Sequence, residues 1–173
     1  TLSGNNGYTG ETGVNAGTLT LGGSLASAVL TVGTGATLNA LSGSYFPVTS
    51  VLTADGVVNL DNSAVEIATL LGTGVVNLNT TALTLSNGTF SGALNSSGSL
   101  LKVSGGLLTL SGNNGYTGET GVNAGTLTLG GSLASTVLTV GAGATLNALS
   151  GSYFPVTSVL TADGVVNLDN SAV

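Results

Sequence analysis

The sequence predicts an all-β protein: a right-handed parallel β-helix, or β-solenoid, of about six coils per 108-residue repeat. Three observations carry this. Thr109–Val173 repeats Thr1–Val65 over 65 positions with two differences, Ala28 against Thr136 and Thr34 against Ala142. Internal identity at a fixed period is the mark of a repeat architecture, so it decides the fold before any local reading does. Within the repeat, short apolar-polar alternations recur, each opened by a glycine. The composition is 42% hydrophobic and only 5% charged, with 29 glycines and two prolines. A disordered chain has the opposite balance of hydrophobicity and charge, and collagen needs glycine at every third position.

In chain order, Gly17 opens Thr18-Leu19-Thr20-Leu21, Gly35 opens Ala36–Ala40, and Gly56 opens Val57-Val58-Asn59-Leu60. Gly74 opens Val75-Val76-Asn77-Leu78, Gly92 opens Ala93-Leu94-Asn95, Gly106 opens Leu107-Leu108-Thr109-Leu110, and Gly125 begins the next unit. The intervals between these glycines are 18, 21, 18, 18, 14 and 19, which makes six sub-repeats per unit. Successive side chains of a strand point to opposite faces. Leu19, Leu21, Val58, Leu60, Val76, Leu78, Leu108 and Leu110 are therefore expected inside. Thr20, Asn39, Asn59, Asn77, Asn95 and Thr109 are expected outside as a polar row, its asparagines forming a stacked amide ladder.

A second row of apolar-polar-apolar triplets follows: Val65-Glu66-Ile67, Leu83-Thr84-Leu85 and Leu101-Lys102-Val103. Their centres are 18 apart, so Glu66, Thr84 and Lys102 are read as one outward row, with Lys102 a solvated edge charge. Leu30-Thr31-Val32 and the weaker Val48-Thr49-Ser50 are the corresponding triplets earlier in the chain. Two strands per turn of about 18 residues give a flattened apolar interior, with coils about 4.8 Å apart. A helix is excluded by the glycine and β-branched content and by an apolar period of 2. The parallel-crossover preference supplies the right hand.

The longest interval holds Ser44-Tyr45-Phe46-Pro47, where proline cannot donate to a ladder, so this segment is expected to bulge with its aromatics tucked over the core edge. Gly88-Thr89-Phe90 is the weakest strand signal. Residues 1–108 form the first unit and 109–173 a partial second, with no true domain boundary between them. The whole chain is expected to make nine to ten coils over about 45 Å. Thr1 and Val173 both fall inside strands, and further copies of the unit are expected beyond them.

The stretch LTLSGNNGYTGETGVNAGTLTL resembles the autotransporter-associated β-strand repeat of type V secreted proteins. Strand Leu108–Leu110, turn Ser111–Asn114, turn Tyr116–Gly118 and strand Val122–Leu129 match that pattern in order. The first copy matches at Leu2, Ser3–Asn6, Tyr8–Gly10 and Val14–Leu21. The resemblance implies a passenger region that is extracellular, at the cell surface of a Gram-negative bacterium. There the β-helical repeat is a scaffold associated with adhesion, biofilm and export, with no catalytic residues to carry over.

The residue inventory points the same way. With no cysteine and no histidine, a Ser-His-Asp or Cys-His triad and the usual zinc ligand sets are excluded. One cation and seven acids leave no footprint for nucleic acid or an anionic membrane. No run approaches the ~18 apolar residues of a membrane helix, so no membrane insertion is expected. The one carboxylate pair to weigh is Asp55 and Asp61, with copies Asp163 and Asp169. A four-residue strand separates its members by about 13 Å, too far for paired acid–base work, and turn chemistry accounts for both. The sequons at Asn79, Asn87 and Asn95 reflect an abundance of Ser, Thr and Asn. No catalytic, cofactor or metal site is expected. The leading reading is a structural stalk or fibre whose partners are adjacent copies of itself, end to end. The alternatives are a module that grips surface glycans and, further off, a polysaccharide-degrading β-helix.

Overall fold

The computed structural model describes residues 1–169. These contain eighteen strands and no helix: β1 (Thr12–Val14), β2 (Thr18–Leu21), β3 (Val29–Val32), β4 (Thr37–Ala40), β5 (Val51–Ala54), β6 (Val57–Leu60), β7 (Ala64–Gly72), β8 (Val75–Asn77) and β9 (Ala82–Phe90), then β10 (Ala93–Asn95), β11 (Ser99–Lys102), β12 (Leu107–Leu110), β13 (Thr120–Val122), β14 (Thr126–Leu129), β15 (Val137–Val140), β16 (Thr145–Ala148), β17 (Val159–Ala162) and β18 (Val165–Leu168). Every strand pairing is parallel and joins segments one turn apart, the tightest setting Leu100 beside Leu83 and the widest Val51 beside Val29. The chain is a β-solenoid of about eight turns. Eight turns separate β1 from β18, so nine coils are stacked, the lower end of the nine to ten expected.

Each turn has three sides rather than two. On side A, β2, β4, β6, β8 and β10 stack in order. Side B is irregular at first, with Asn6, Leu25 and Tyr45 making isolated bridges. It becomes regular with the first half of β7 and continues through the first half of β9, β11, β13, β15 and β17. Side C runs β1, β3, β5, the second halves of β7 and β9, then β12, β14, β16 and β18. The nine-residue strands β7 and β9 span sides B and C without a break. Gly88-Thr89-Phe90, the weakest strand in sequence, is thus an ordinary part of β9.

Alternation sets the inside. Leu21, Val58, Leu60, Val76, Leu78, Leu108 and Leu110 are buried in one continuous core, and Leu19 is half-buried in the first complete turn. Thr20, Asn59 and Asn77 on the same strands face out. Val76→Ala is expected to lower stability by about 1–3 kcal/mol, and Asn77→Ser by far less. Equal shifts in urea midpoint would mean the inward register is off by one residue.

Three of the expected triplets are corrected. Leu30-Thr31-Val32 alternates as expected but stacks on side C, where Thr31 lies beside Thr53 and Thr53 beside Leu71, not in the side B row of Glu66. Val48-Thr49-Ser50 is a turn, with Val48 exposed and Ser50 bonding back to the Pro47 carbonyl. Leu101-Lys102-Val103 is displaced by one residue, because β11 pairs with β9 at an offset of 17, placing Thr84 beside Leu101 and Leu85 beside Lys102. A one-residue slip exchanges the two faces of a strand. Leu100 and Lys102 therefore point inward, and Lys102 is fully buried rather than a solvated edge charge.

The bulge at Ser44–Pro47 is present as expected. Of its two aromatics, Phe46 folds under into the core as expected, whereas Tyr45 makes one bridge to Ser24 and stays exposed, contrary to the expected tuck. Val173, where the second copy breaks off, lies outside the described residues.

Candidate functional site

The outward surface is built from short polar side chains that bond to the coil above or below. On side A, Asn59 Nδ2 donates to Asn39 Oδ1 and Asn77 Nδ2 donates to Asn59 Oδ1, each at 2.7 Å. This is the amide ladder the sequence predicts, and Asn95 continues its register. Thr109, expected in the same row, instead lies beside Thr89 on side C. The second copy builds the same bond, from Asn167 to Asn147 at 2.7 Å. Elsewhere Thr31 donates to Glu11 Oε1 at 2.6 Å, and its copy Thr139 donates to Glu119 Oε1 at 2.9 Å. Each bond spans one turn, so these groups act on the stack first.

The acidic pair behaves as turn chemistry. Asp55 and Asp61 sit at opposite ends of β6. Asp55 Oδ1 accepts the Thr73 backbone N–H at 3.0 Å and the Thr73 hydroxyl at 3.2 Å. Asp163 and Asp169 flank β18 in the same way and are exposed. The double variant Asp55→Asn/Asp61→Asn keeps the acceptor for Thr73 and should leave the fold intact, with no drop in melting temperature on chelation. A large drop would reveal ions at these turns. Among the described residues, no group of three or more potential ligand side chains converges on a metal position. The sequon asparagines also serve the stack: Asn79 Nδ2 donates to the Leu60 carbonyl, and Asn87 Oδ1 accepts from Thr69.

Three residues were not legible as important from sequence. Lys102 Nζ, inside the coil, donates to the carbonyls of Val103 and Ser104 at 2.8 Å and of Ala124 at 3.1 Å. Ser104 holds φ at 65°, which turns this corner. Burial lowers the Lys102 pKa from its ordinary value. As the sole lysine, it should resist amine acylation in the folded protein and react only after denaturation, which peptide mass mapping would show. Fast native labelling would place it outside.

Asn114 and Tyr116, in the second copy of the recognised motif, occupy the place on side A above β10 where a regular strand is missing. Asn114 Oδ1 accepts the Leu94 N–H at 3.2 Å, and its Nδ2 donates to the Gly112 carbonyl at 2.9 Å. The side chain thereby substitutes for a ladder partner, since a buried backbone donor must be paired. The Tyr116 N–H reaches the Leu94 carbonyl at 3.1 Å, and its hydroxyl bonds Thr120 Oγ1 at 2.7 Å. The motif supplies a corner and a buried plug.

The groove with the most varied chemistry lies on side B, where the Ser44–Val48 bulge fails to pair with β7. It encloses about 280 Å³ between Tyr45, Phe46, Val48, Val65, Glu66 and Thr84. Tyr45 is 54% exposed, so its ring face is available beside the exposed Glu66 carboxylate.

Residues 1–21 and 100–129 match the family described as Passenger-associated-transport-repeat. Both copies of the motif fall within the matched residues, as do residues 100–107 before the second copy, and the rest of each unit lies outside them. Neither a curated protein nor a solved structure matches the chain.

Proposed function

Starting from a chain that carries the passenger-associated transport repeat, we propose that it is a non-catalytic stalk of a surface passenger, holding an adhesive or biofilm-forming region away from the bacterium. The observation that carries the reading is where its polar side chains are spent. The asparagine ladder, the Thr–Glu bonds and the Asp55 turn all tie one coil to the next. Such a surface stabilises length rather than a reaction. Removing or adding whole repeat units in the parent protein should change the reach of the surface fibre and leave its binding preference unchanged. Loss of binding preference with each unit removed would sink the stalk reading.

The same reading extends to contacts between copies. A solenoid coil buries its apolar side chains and pairs its strand edges only against the coils on either side, so units of this kind are suited to stack end to end. Sedimentation of the purified chain at rising concentration should show elongated association, and a strict monomer throughout would oppose it.

One observation favours a second reading. The groove beside Tyr45 joins an aromatic face to a carboxylate and the Thr84 hydroxyl, a combination suited to one sugar ring. On a glycan array, a preference abolished by Tyr45→Ala and weakened by Glu66→Gln would favour a binding module over a plain stalk.

A further inference from the structure

The two copies of the repeat do not lie on the same sides of the solenoid. Leu2 pairs with Leu21 on side A, followed by Ala40 and Leu60, with Asn77 and Asn95 continuing the ladder. Its copy, Leu110, instead pairs with Phe90, which in turn pairs with Gly72, on side C, in the column that begins at Val14 and Val32. The displacement holds throughout. Strand β2 is on side A and its copy β14 on side C, β3 is on side C and its copy β15 on side B, and Tyr45 is on side B and its copy Tyr153 on side A. One unit therefore makes five and two-thirds turns, not six. The slip sits in the short interval between Gly92 and Gly106. There the chain passes along β10 and β11 and then opens β12 on side C, one side short of a full turn.

We infer that tandem copies of this unit form a three-sided display, each copy turned by one third of a turn from the copy before it. Any surface feature of the unit, the Tyr45 bulge included, then points along a new side in every copy and returns to its first side after three. Successive copies of the feature are about 27 Å apart along the axis, from five and two-thirds steps of ~4.8 Å. An array built this way is bound equally from any direction. A multivalent partner on one flat surface, by contrast, meets every third copy only. The offset follows from backbone register, so it holds for a plain stalk and for a binder alike.

Cysteine pairs decide the geometry, since the chain has no cysteine of its own. In the observed register Thr109 lies beside Thr89, whereas six whole turns per unit would set Thr109 beside Asn95. Parallel neighbours on one face are close enough to bridge. Thr89→Cys/Thr109→Cys should oxidise to an intramolecular disulfide with near-complete loss of free thiol, and Asn95→Cys/Thr109→Cys should keep both thiols. Closure of the second pair, or failure of the first to close in folded protein, overturns the third-turn offset. As a direct view, streptavidin on biotinylated Tyr45→Cys/Tyr153→Cys should project from different sides of the rod in electron micrographs. Two labels in line along one side would overturn the display.

Discussion

Tyr116→Ala is expected to lower stability by about 3–5 kcal/mol, and the same change at Tyr8 by less than about 1 kcal/mol. The two residues are copies in the same motif, with the same hydroxyl bond to a threonine four positions on, Tyr8 to Thr12 and Tyr116 to Thr120. What differs is the coil beneath. Tyr116 closes onto Leu94 and is wholly enclosed, whereas Tyr8, in the first coil of this chain, is 42% exposed. The urea midpoints of the two variants provide the comparison. Equal shifts would mean that the motif's tyrosine works locally, through its turn, rather than by filling the core between coils.

Tyr116 also gives a pH dependence. Burial holds its hydroxyl well above the ordinary tyrosine pKa, with the Thr120 bond pulling weakly the other way. Above about pH 10 the unfolded chain loses this proton while the folded chain keeps it. The contribution is therefore fully present below that pH and declines as pH rises beyond it. Tyr116→Phe should flatten that alkaline decline. An unchanged slope would mean the ring is hydrated.

The sequence made the strands, their alternation and the amide ladder readable, because those depend on local period alone. Val76 and Asn77 could be placed inside and outside from their immediate neighbours. The number of sides was not readable, since it depends on how corners close. At Ser44–Pro47 and at Ser111–Tyr116 the chain turns without forming a strand that spacing could reveal. Lys102 was misplaced for a related reason. Its triplet has an outward pattern at a period of 18, but β11 is drawn one residue back and its offset from β9 becomes 17. The lysine that results inside satisfies carbonyls at a corner the spacing does not mark. The third-turn offset was present as the one short interval, from Gly92 to Gly106. Averaging it with its neighbours turned a missing side into a sixth coil.

Gly92→Ala should be strongly damaging, costing about 3 kcal/mol or more, while Gly105→Ala should be neutral or stabilise by up to about 1 kcal/mol. Between sides C and A the corner is a column of glycines that starts at Gly56. Gly74, Gly92, Gly112 and Gly131 follow, each seated on the backbone of the one before. A Cβ at Gly92 would overlap the Gly74 carbonyl and press on the Phe90 ring, whereas one at Gly105 would meet open space. Backbone cannot swing aside as a side-chain tip can, so relief at Gly92 requires separating two coils and weakening the ladders on either side. The column also crosses from one copy to the next. Gly112 and Gly131 are copies of Gly4 and Gly23, which stack at a different corner in the first unit. Because each unit is turned by one side, a glycine of the repeat must fit a different corner in each copy. Gly112→Ala and Gly23→Ala should accordingly both destabilise, although they lie at different corners. Tolerance at either one, measured by urea midpoint, would show that its corner has slack and that close coil contact there is not required.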